Sequence, residues 1–388
     1  MIPRTLFSAE HDLFRQSVRR FVDTEIAPAH RDWELAGVVP RKIWRRAGEL
    51  GFLCTSIPEA YGGAGGDFLH AAILIEEMAR AGATGPTFYL QSDIVAPYIL
   101  HYGTEQQKLQ WLPRMAKGDV ITAIGMTEPS GGSDLQNMKT TALRDGDDFV
   151  INGQKVFITA GHNADLVVLA CKTDPKVGAK GVSLILVETG RKGFERGRLL
   201  DKIGCKAQDT AELFFNDLRV PAANVLGQEG RGFYQLMQEL AQERLIQAIR
   251  AVASCEAAIE WTLDYVSERR MFGHTLADFQ NTQFKLAEMR ANVTAQRMFV
   301  DRCIELHLAR QLDAIDAAMV KLTTTELQGK VMDQCLQLFG GWGYMADYPI
   351  ARAFVDARMT RIGGGSAEVM KQIISRAMMP IRKSRKEH

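Results

Sequence analysis

The 388-residue sequence lacks several features that would place it in a special class of protein. Its six cysteines are scattered and form no C-x-x-C pair, which favours free thiols in a reducing compartment over a disulfide framework. It has no run of about 18 apolar residues, so no membrane insertion is expected. Neither sign of charge is in excess, because 47 Lys and Arg stand against 46 Asp and Glu. Nucleic-acid binding is not expected either, since it normally requires a basic face.

What the sequence does contain is an ordinary globular composition, with 46% hydrophobic and 24% charged residues. A typical domain has on the order of 150 residues, so the length of this chain favours two or three domains. Glu10 and Asp12 stand among the first basic residues, which argues against a transit peptide, so we expect a cytoplasmic location. The basic segment RKSRKEH, residues 382–388, is expected to be a solvated end rather than a binding arm.

Three regions follow one another along the chain: helical, β and helical again. Residues 1–119 contain helix candidates such as AAILIEEMARAG, and an amphipathic stripe begins behind a Ser8 cap. Residues 120–229 contain short β-branched or aromatic segments, namely FVING, KVFITAG, DLVVLACK, VSLILVE and AELFFNDLRV, with RDGDD suited to a hairpin turn. Residues 230–388 contain helices long enough for a bundle. The predicted fold is therefore mainly α with a middle β domain.

The segment GWGYMA, Gly341–Ala346, fits a G-x-G-x-x-A dinucleotide fingerprint. That fingerprint binds a pyrophosphate only where it follows a strand and begins a helix. Here the preceding segment VMDQCLQLF is helical in pattern. We therefore predict a helix-terminating turn and no Rossmann site.

Two segments near the middle of the chain carry groups that could meet a phosphate or a flavin. MTEPSGGSD, residues 126–134, crowds small and hydroxyl residues into a loop, which could also be a turn-rich connector. In KVFITAG, Phe157 and Thr159 are two residues apart and would lie on the same side of a strand. Pattern alone favours a core role for both side chains.

One acidic residue is predicted to face inward from a helix. In ELAQERLIQ, Glu243 lies on the same helical face as Leu236 and Leu240. An inward carboxylate is costly unless it is paired, and burial raises its pKa, which suits a general base. A solvated pair with Arg244 is the commoner role of such a glutamate, and Glu239 shares the face and competes for the function. The eight histidines show no ligand spacing, so no metal is expected, and no G-x-S-x-G nucleophile elbow is present.

Taken together, these motifs resemble those of the acyl-CoA dehydrogenase family. MTEPSGGSD is similar to the family's first signature and QLFGGWGYMADYPIARAFVDAR to its second, and the likeness extends over nearly the whole chain. GRLLDKIGCKAQDTAELFFNDLRVP and QERLIQAI are similar to the long-chain branch. The resemblance implies an N-terminal helical domain, a β-barrel-like middle domain and a C-terminal four-helix bundle. It also implies FAD-dependent α,β-dehydrogenation of acyl-CoA thioesters to trans-2-enoyl-CoA, with electrons passed to an electron-transferring flavoprotein.

The resemblance further implies where the catalytic base lies. Most members keep a glutamate in a Y-E-G-T loop, which corresponds here to Ile362–Ser366, whereas the long-chain and isovaleryl branches carry it on the helix with QER or LER. Glu243 would then remove the pro-R α-proton while the β-hydrogen leaves as a hydride. Gly364 would take the vacated place, and its amide would polarise the thioester carbonyl. The room left there is expected to suit medium-to-long or methyl-branched acyl chains.

The remaining site residues are carried over from the family position by position. Those expected to contact the flavin within one subunit are Thr127, Ser133, Phe157, Thr159 and Ser366. Those expected to hold the adenosine side of FAD, partly in a neighbouring subunit, are Arg269, Gln280, Gln337 and Gly341. Those expected to contact the acyl-CoA are Ser133, Arg244 and Gly364. Binding of FAD across subunits implies at least a dimer, and the family is usually a dimer of dimers.

Two alternatives stay open at this stage. One is an acyl-CoA oxidase or another flavin enzyme on the same scaffold, because oxygen reactivity depends on solvation and charge near the flavin. The other is a non-catalytic flavin- or CoA-binding protein, including a DNA-associated relative. The near-neutral charge argues against DNA, and Glu243 within QER argues against a dead site.

Overall fold

A computed structural model describes residues 2–379 of the chain, so the basic segment 382–388 lies outside the described residues. The chain divides into two compact units. The first unit comprises Thr5–Glu239, and the second begins at Leu240 and includes the N-terminal residues up to Arg4. The predicted three-domain division is finer, and its boundaries stay predictions.

The N-terminal part of the first unit is helical, as predicted. Its α-helices are α1 (Ala9–Phe21), α2 (His30–Ala36), α3 (Arg41–Glu49), α4 (Phe68–Arg80), α5 (Ala96–Tyr102) and α6 (Glu105–Ala116). Ser8 caps α1 through its side chain, and Val18 and Phe21 are buried on the predicted stripe. The same helical periodicity also predicts Leu13 on that stripe, but its side chain is exposed. A π-helical segment, Val22–Ile26, follows α1, and a second, Leu90–Val95, runs directly into α5 with all six of its residues buried.

The middle of the first unit is one seven-stranded sheet. Its strands are β1 (Thr122–Gly125), β2 (Thr141–Asp145), β3 (Asp148–Ile158), β4 (Leu166–Lys172), β5 (Val182–Glu188), β6 (Phe194–Leu199) and β7 (Ala211–Pro221). The order is β1-β4-β2-β3-β7-β6, with β5 paired to β4. FVING and KVFITAG, predicted as separate strands, join in β3, and RDGDD forms the predicted hairpin between β2 and β3.

The core of this sheet consists of apolar side chains from nearly every strand. Phe149, Leu169, Ile185 and Phe215 are among those fully or almost fully buried. Burial of each such side chain stabilises the fold by roughly 1.5–3 kcal/mol. The sheet is therefore a rigid support for the loops at its edges, including residues 126–134.

The second unit is dominated by long helices, which confirms the predicted bundle-like region. Its elements, counting α7 from its start in the first unit, are α7 (Gly232–Glu268), β8 (Arg270–Met271), β9 (His274–Thr275), α8 (Gln280–Leu308), α9 (Ala314–Phe339), α10 (Pro349–Thr360) and α11 (Ala367–Met378). The segment GWGYMA follows the end of α9 in a short 3-10 turn, so the prediction of a helix-terminating turn is confirmed.

Two observations concern membranes and thiols. Within residues 2–379, no helix combines the length and the apolar character needed to cross a bilayer. The six cysteines are all free and buried, as the scattered pattern predicted.

Candidate active site

Glu243 faces inward from α7, as the helical periodicity predicted. Its side chain is only 6% exposed, and Leu236 and Leu240 on the same face are buried as well. A solvated surface pair with Arg244 does not describe it, because Arg244 is also buried. A carboxylate in this position is held away from bulk water. Such a position suits a general base that exchanges a proton with an apolar substrate.

Glu239, the competing carboxylate, has a partner of its own. It lies one turn before Glu243 on α7, and its Oε1 is 2.8 Å from His101 Nδ1 at the end of α5. Burial and the nearby Glu239 carboxylate also raise the pKa of the Tyr102 hydroxyl. Glu239 therefore belongs to a hydrogen-bonded group in the first unit, which favours a structural role for it.

Gly364 lies in a loop between α10 and α11 that packs against α7. Its φ is +66°, a left-handed conformation that favours glycine, and a Cβ built there would lie 3.4 Å from Gln247 Cγ. Gln247 is one turn beyond Glu243 on α7, so the loop lies beside the stretch of helix that carries the candidate base. Within residues 2–379, the Gly364 N–H donates to no acceptor, although the Gly363 N–H donates to Met359 O at 2.9 Å. The amide predicted to polarise a thioester is thus available.

Two buried cations lie close to this loop. Arg244 donates from Nη1 to Ala314 O at 3.5 Å, while its buried Nε has no hydrogen-bond partner in the described chain. Burial lowers the pKa of Arg244, although Glu243 opposes the shift. Lys321 on α9 donates from Nζ to Gly365 O at 2.6 Å. Two cations, Arg244 and Lys321, therefore lie in the region that also holds the Glu243 carboxylate.

Ser366 ends the same loop and begins the next helix. Its side chain accepts a hydrogen bond from Val369 N at 3.3 Å, so it is the N-cap of α11. This contact accounts for Ser366 structurally. Its predicted contact with the flavin stays a prediction.

The loop 126–134 in the first unit is fixed by a buried ion pair. Lys155 Nζ on β3 lies 2.8 Å from Glu128 Oε1 and also donates to Met126 O at 2.9 Å. Glu128 accepts further hydrogen bonds from the backbone N–H groups of Lys139 and Thr140. Two segments distant in sequence are thereby locked together, and Thr127 lies between two of the fixed residues.

Phe157 does not follow the regular strand geometry on which the prediction relied. Its φ is +61°. From Lys155 to Ile158, three residue steps along β3 pair with only two residue steps along β7, which is a β-bulge. This bulge turns the Phe157 side chain outward, where it is 66% exposed. Thr159 lies beyond the end of β3, so alternation along a strand does not relate the two residues. A strained, exposed aromatic residue is typical of a ligand-binding position.

The comparison with protein-family models covers nearly all of the chain. The N-terminal, middle and C-terminal domain models of acyl-CoA dehydrogenase match residues 8–119, 123–218 and 230–379. The chain belongs to the acyl-CoA dehydrogenase family. The predicted family, and with it the predicted fold class of helical terminal regions around a β region, is confirmed.

Individual relatives agree with this assignment. The chain is 51% identical to the long-chain specific acyl-CoA dehydrogenase, mitochondrial, of Rattus norvegicus, over 97% of this chain and 88% of that one. A crystal structure of an acyl-CoA dehydrogenase from Geobacillus kaustophilus superposes with a TM-score of 0.95 at 47% identity, covering 97% and 100% of the two chains. A glutaryl-CoA dehydrogenase from Mycobacterium smegmatis, solved in complex with FADH2, gives 0.91 at 28% identity, covering 98% and 97%.

The groups of this acyl-CoA dehydrogenase that are expected to meet a flavin have suitable chemistry. The hydroxyls of Thr127, Ser133 and Thr159 form no hydrogen bond within residues 2–379, and the Phe157 ring is exposed. Hydroxyls without a partner in the described chain, and an exposed aromatic ring, are groups that can contact a large planar ring system with polar edges. These residue types therefore suit a flavin, and their contacts with FAD stay predictions.

The four residues expected on the adenosine side of FAD all lie in the second unit. They are exposed in the isolated chain and stand at helix ends or on an open helix face: Arg269, Gln280, Gln337 and Gly341. A Cβ at Gly341 would meet nothing within 4 Å. Exposure of this kind is compatible with binding a cofactor held by another subunit.

The sequence patterns assign no role to several residues that make specific contacts in the structure. Glu128, Lys155 and Lys321 received no role, although a lone lysine inside KVFITAG or inside AAMVKLTTT stands out among apolar neighbours. The structure also brings His11 and His70 to one Asp67 oxygen, which sequence spacing did not indicate. Both histidines take part in capping boxes at the starts of α1 and α4, so this cluster is accounted for by helix capping.

Proposed function

We propose that this acyl-CoA dehydrogenase removes hydrogen from Cα and Cβ of an acyl-CoA thioester, with Glu243 as the catalytic base. One observation carries this assignment. The buried Glu243 stands one turn from Gln247, and Gln247 packs against the loop whose Gly364 amide has no acceptor in the described chain. A base and an oxyanion donor are thus presented by adjoining elements of one unit.

Removal of the α-proton requires that the thioester be made more acidic. The Gly364 N–H would donate to the thioester oxygen and stabilise the negative charge that develops as the proton leaves. Arg244 lies beside Glu243 in sequence and has a buried Nε without a hydrogen-bond partner among residues 2–379, so it is a candidate contact for the acyl-CoA. Ser133, which is exposed in the first unit, is proposed as a further contact of the substrate.

FAD, the predicted cofactor, supplies the acceptor for the two electrons when it is bound. We assign its ring to Thr127, Phe157 and Thr159 and its pyrophosphate side to Ser133, on the free hydroxyls and the exposed ring described above. The Glu128–Lys155 pair fixes the backbone that carries Thr127 and Phe157. The glutaryl-CoA dehydrogenase solved with FADH2 supports the choice of cofactor.

The proposed substrates are medium-to-long or methyl-branched acyl-CoA thioesters. Glycine at position 364 leaves space where a glutamate side chain would otherwise lie, and the rat relative at 51% identity is described as long-chain specific. The proposed electron acceptor is an electron-transferring flavoprotein. A cytoplasmic location is proposed as well, supported by six free, buried cysteines.

An anaerobic titration tests the reaction and its base. Purified wild type, Glu243→Gln and Glu239→Gln are each mixed with palmitoyl-CoA, isovaleryl-CoA or butyryl-CoA, and flavin absorbance is followed. We expect long or branched thioesters to bleach the wild-type flavin. Glu243→Gln should bind the thioester but bleach roughly a thousand-fold more slowly, which is within the usual contribution of a general base. Glu239→Gln is the matched control and should still bleach.

Each other outcome contradicts a specific part of the proposal. Equal bleaching in Glu243→Gln and wild type would move the base elsewhere. Bleaching by butyryl-CoA alone would overturn the substrate class. Absence of bleaching with every thioester would favour a non-catalytic binding protein, and rapid reoxidation by air would favour an oxidase.

A further inference from the structure

Lys321 is a fully buried lysine with one specific contact at the candidate active site. It lies on α9, its exposed fraction is 0%, and its Nζ donates to Gly365 O at 2.6 Å. Burial of an ammonium group is costly unless the group is paired or hydrogen-bonded. The contact therefore needs a reason beyond packing, and the loop that it holds is the one that carries the Gly364 amide.

The loop is closed at its ends by the Ala367 N–H, which donates to Arg361 O at 3.0 Å, but within residues 2–379 the N–H groups of Gly364 and Gly365 donate no backbone hydrogen bond. Gly364 and Gly365 both have positive φ values, +66° and +93°, in a region that glycine enters freely and leaves as freely. On one side the Gly363 N–H is bound to Met359 O, and on the other Ser366 caps α11. Lys321 holds the Gly365 carbonyl between these two points, one residue from the Gly364 N–H, which has no acceptor in the described part of the chain.

The electrostatic surroundings of Lys321 also favour a role in stabilising negative charge. Burial and the neighbouring Arg244 on α7 lower the pKa of Lys321 to about 8, while Glu326 on α9 and Glu368 on α11 favour its charged form. Two cations, Arg244 and Lys321, are thus close enough to repel each other. Bringing an anionic oxygen to this region would relieve that repulsion.

We propose that Lys321 is a positioning residue for the oxyanion donor: it holds the Gly365 carbonyl so that the Gly364 N–H points at the thioester oxygen, and its charge adds to the stabilisation of that oxygen. This inference rests on the proposed function, because it assumes an acyl-CoA substrate. It assigns no direct contact between Lys321 and the reacting atoms.

Lys321→Met tests the inference against a matched control. Lys172 is also buried and donates from Nζ to the carbonyl of Gly178, at 2.8 Å, but it lies on β4 in the first unit. Lys172→Met removes the same kind of bond away from the loop. We expect Lys321→Met to lower kcat about ten- to a hundred-fold with KM changed less than about threefold, since the loss of one preorganised oxyanion donor usually costs about 10² to 10³. Lys172→Met should keep the wild-type kcat.

A spectroscopic measurement separates positioning from general damage. Bound cinnamoyl-CoA absorbs at longer wavelength when its carbonyl is polarised, so its difference spectrum reports the oxyanion donor directly. We expect a smaller red shift in Lys321→Met than in wild type and in Lys172→Met. Lys321→Gln retains a polar group without charge, and it serves as the test variant if the methionine form does not fold with bound flavin.

The outcomes are distinguishable from failure of the proposed function. A wild-type protein that no acyl-CoA reduces would overturn that function itself. A wild type that is reduced normally, alongside Lys321→Met or Lys321→Gln with unchanged kcat or an unchanged red shift, would overturn the role of Lys321 alone.

Discussion

At the scale of single residues, the ion pair between Glu128 and Lys155 links stability to pH. Burial alone raises the pKa of Glu128, but the attraction of Lys155 and the hydrogen bonds from Lys139 and Thr140 outweigh it and lower the pKa to about 2. Burial also lowers the pKa of Lys155, and the attraction of Glu128 opposes that shift. The folded-state pKa of Glu128 is thus below its unfolded value. Its stabilisation is present above about pH 4.5 and is lost as the pH falls towards 2.

Glu128→Gln is expected to lower the melting temperature at pH 7, because it leaves Lys155 buried without its counter-charge. The loss should be on the order of 3 kcal/mol, the usual cost of breaking a buried pair. The difference from wild type should shrink as the pH falls below about 4.5, since only the wild-type carboxylate becomes protonated there. Thermal unfolding at a fixed scan rate, repeated from pH 7 downward, measures both effects.

Glu105→Gln is the matched control for this experiment. Glu105 also pairs with a lysine, Lys108, but it is exposed, and exposed pairs contribute little to stability. Its melting temperature should stay close to that of wild type at every pH. A pH-independent loss in Glu128→Gln would contradict the assigned titration.

The roles of some of these residues can be predicted from the sequence, and the roles of others cannot, for a physical reason. Glu243 was found because the inward face of a helix is a local, periodic property that the spacing to Leu236 and Leu240 reveals. Lys155 and Lys321 acquire meaning only through partners far away in the chain, at Glu128 and Gly365. Pairings of that kind are settled by tertiary packing, which no local pattern records.

At the scale of elements, the loop between α10 and α11 depends on the left-handed conformation of Gly364. An alanine there would have to adopt φ near +66°, which costs a non-glycine residue roughly 1–2 kcal/mol. Its Cβ would also touch Gln247 Cγ. We expect Gly364→Ala to shift the loop and lower kcat about tenfold or more, because a donor displaced by a fraction of an ångström stabilises an oxyanion poorly.

Gly146→Ala provides the comparison, since Gly146 has a similar φ of +63° in the β2–β3 turn and open space around it. Steady-state kinetics and thermal unfolding should be measured on both variants. A similar loss of stability with a loss of kcat only at Gly364 supports the assigned role. Unchanged kcat in Gly364→Ala would remove Gly364 from the oxyanion site.

Element boundaries show where local patterns stop being informative. The hairpin at RDGDD and the turn after α9 were predicted correctly, because Gly, Asp and helix-ending signals act within a few residues. The joining of FVING and KVFITAG into one strand was missed, because β3 continues through Gly153 and Gln154 by pairing with β7, across a register shift between Ile151 and Gly153. The strand β6 was also missed, since its sequence FERGRL has few apolar residues and is mostly exposed.

At the scale of the whole molecule, the proposed binding of FAD across subunits makes cofactor retention depend on assembly. Arg269, Gln280, Gln337 and Gly341 are exposed in the isolated chain, and a cofactor that bridges subunits would cover them. We expect the purified protein to be a dimer of dimers, and Arg269→Ala to retain FAD poorly because a cation that pairs with the pyrophosphate is lost. Light scattering after gel filtration gives the mass, and the ratio of flavin to protein absorbance in the same peak gives cofactor retention.

Arg270→Ala separates this effect from a simple loss of positive charge. Arg270 is the next residue and is also exposed, but no contact with FAD is assigned to it. It should keep its flavin at the concentrations where Arg269→Ala loses it, and dilution should widen the difference because dissociation of subunits exposes the cofactor. A flavin-loaded monomer in wild type would contradict binding across subunits. Equal retention of FAD in the two arginine variants would contradict the assignment of Arg269 to the FAD site. The measured mass would then be the test of the oligomeric state.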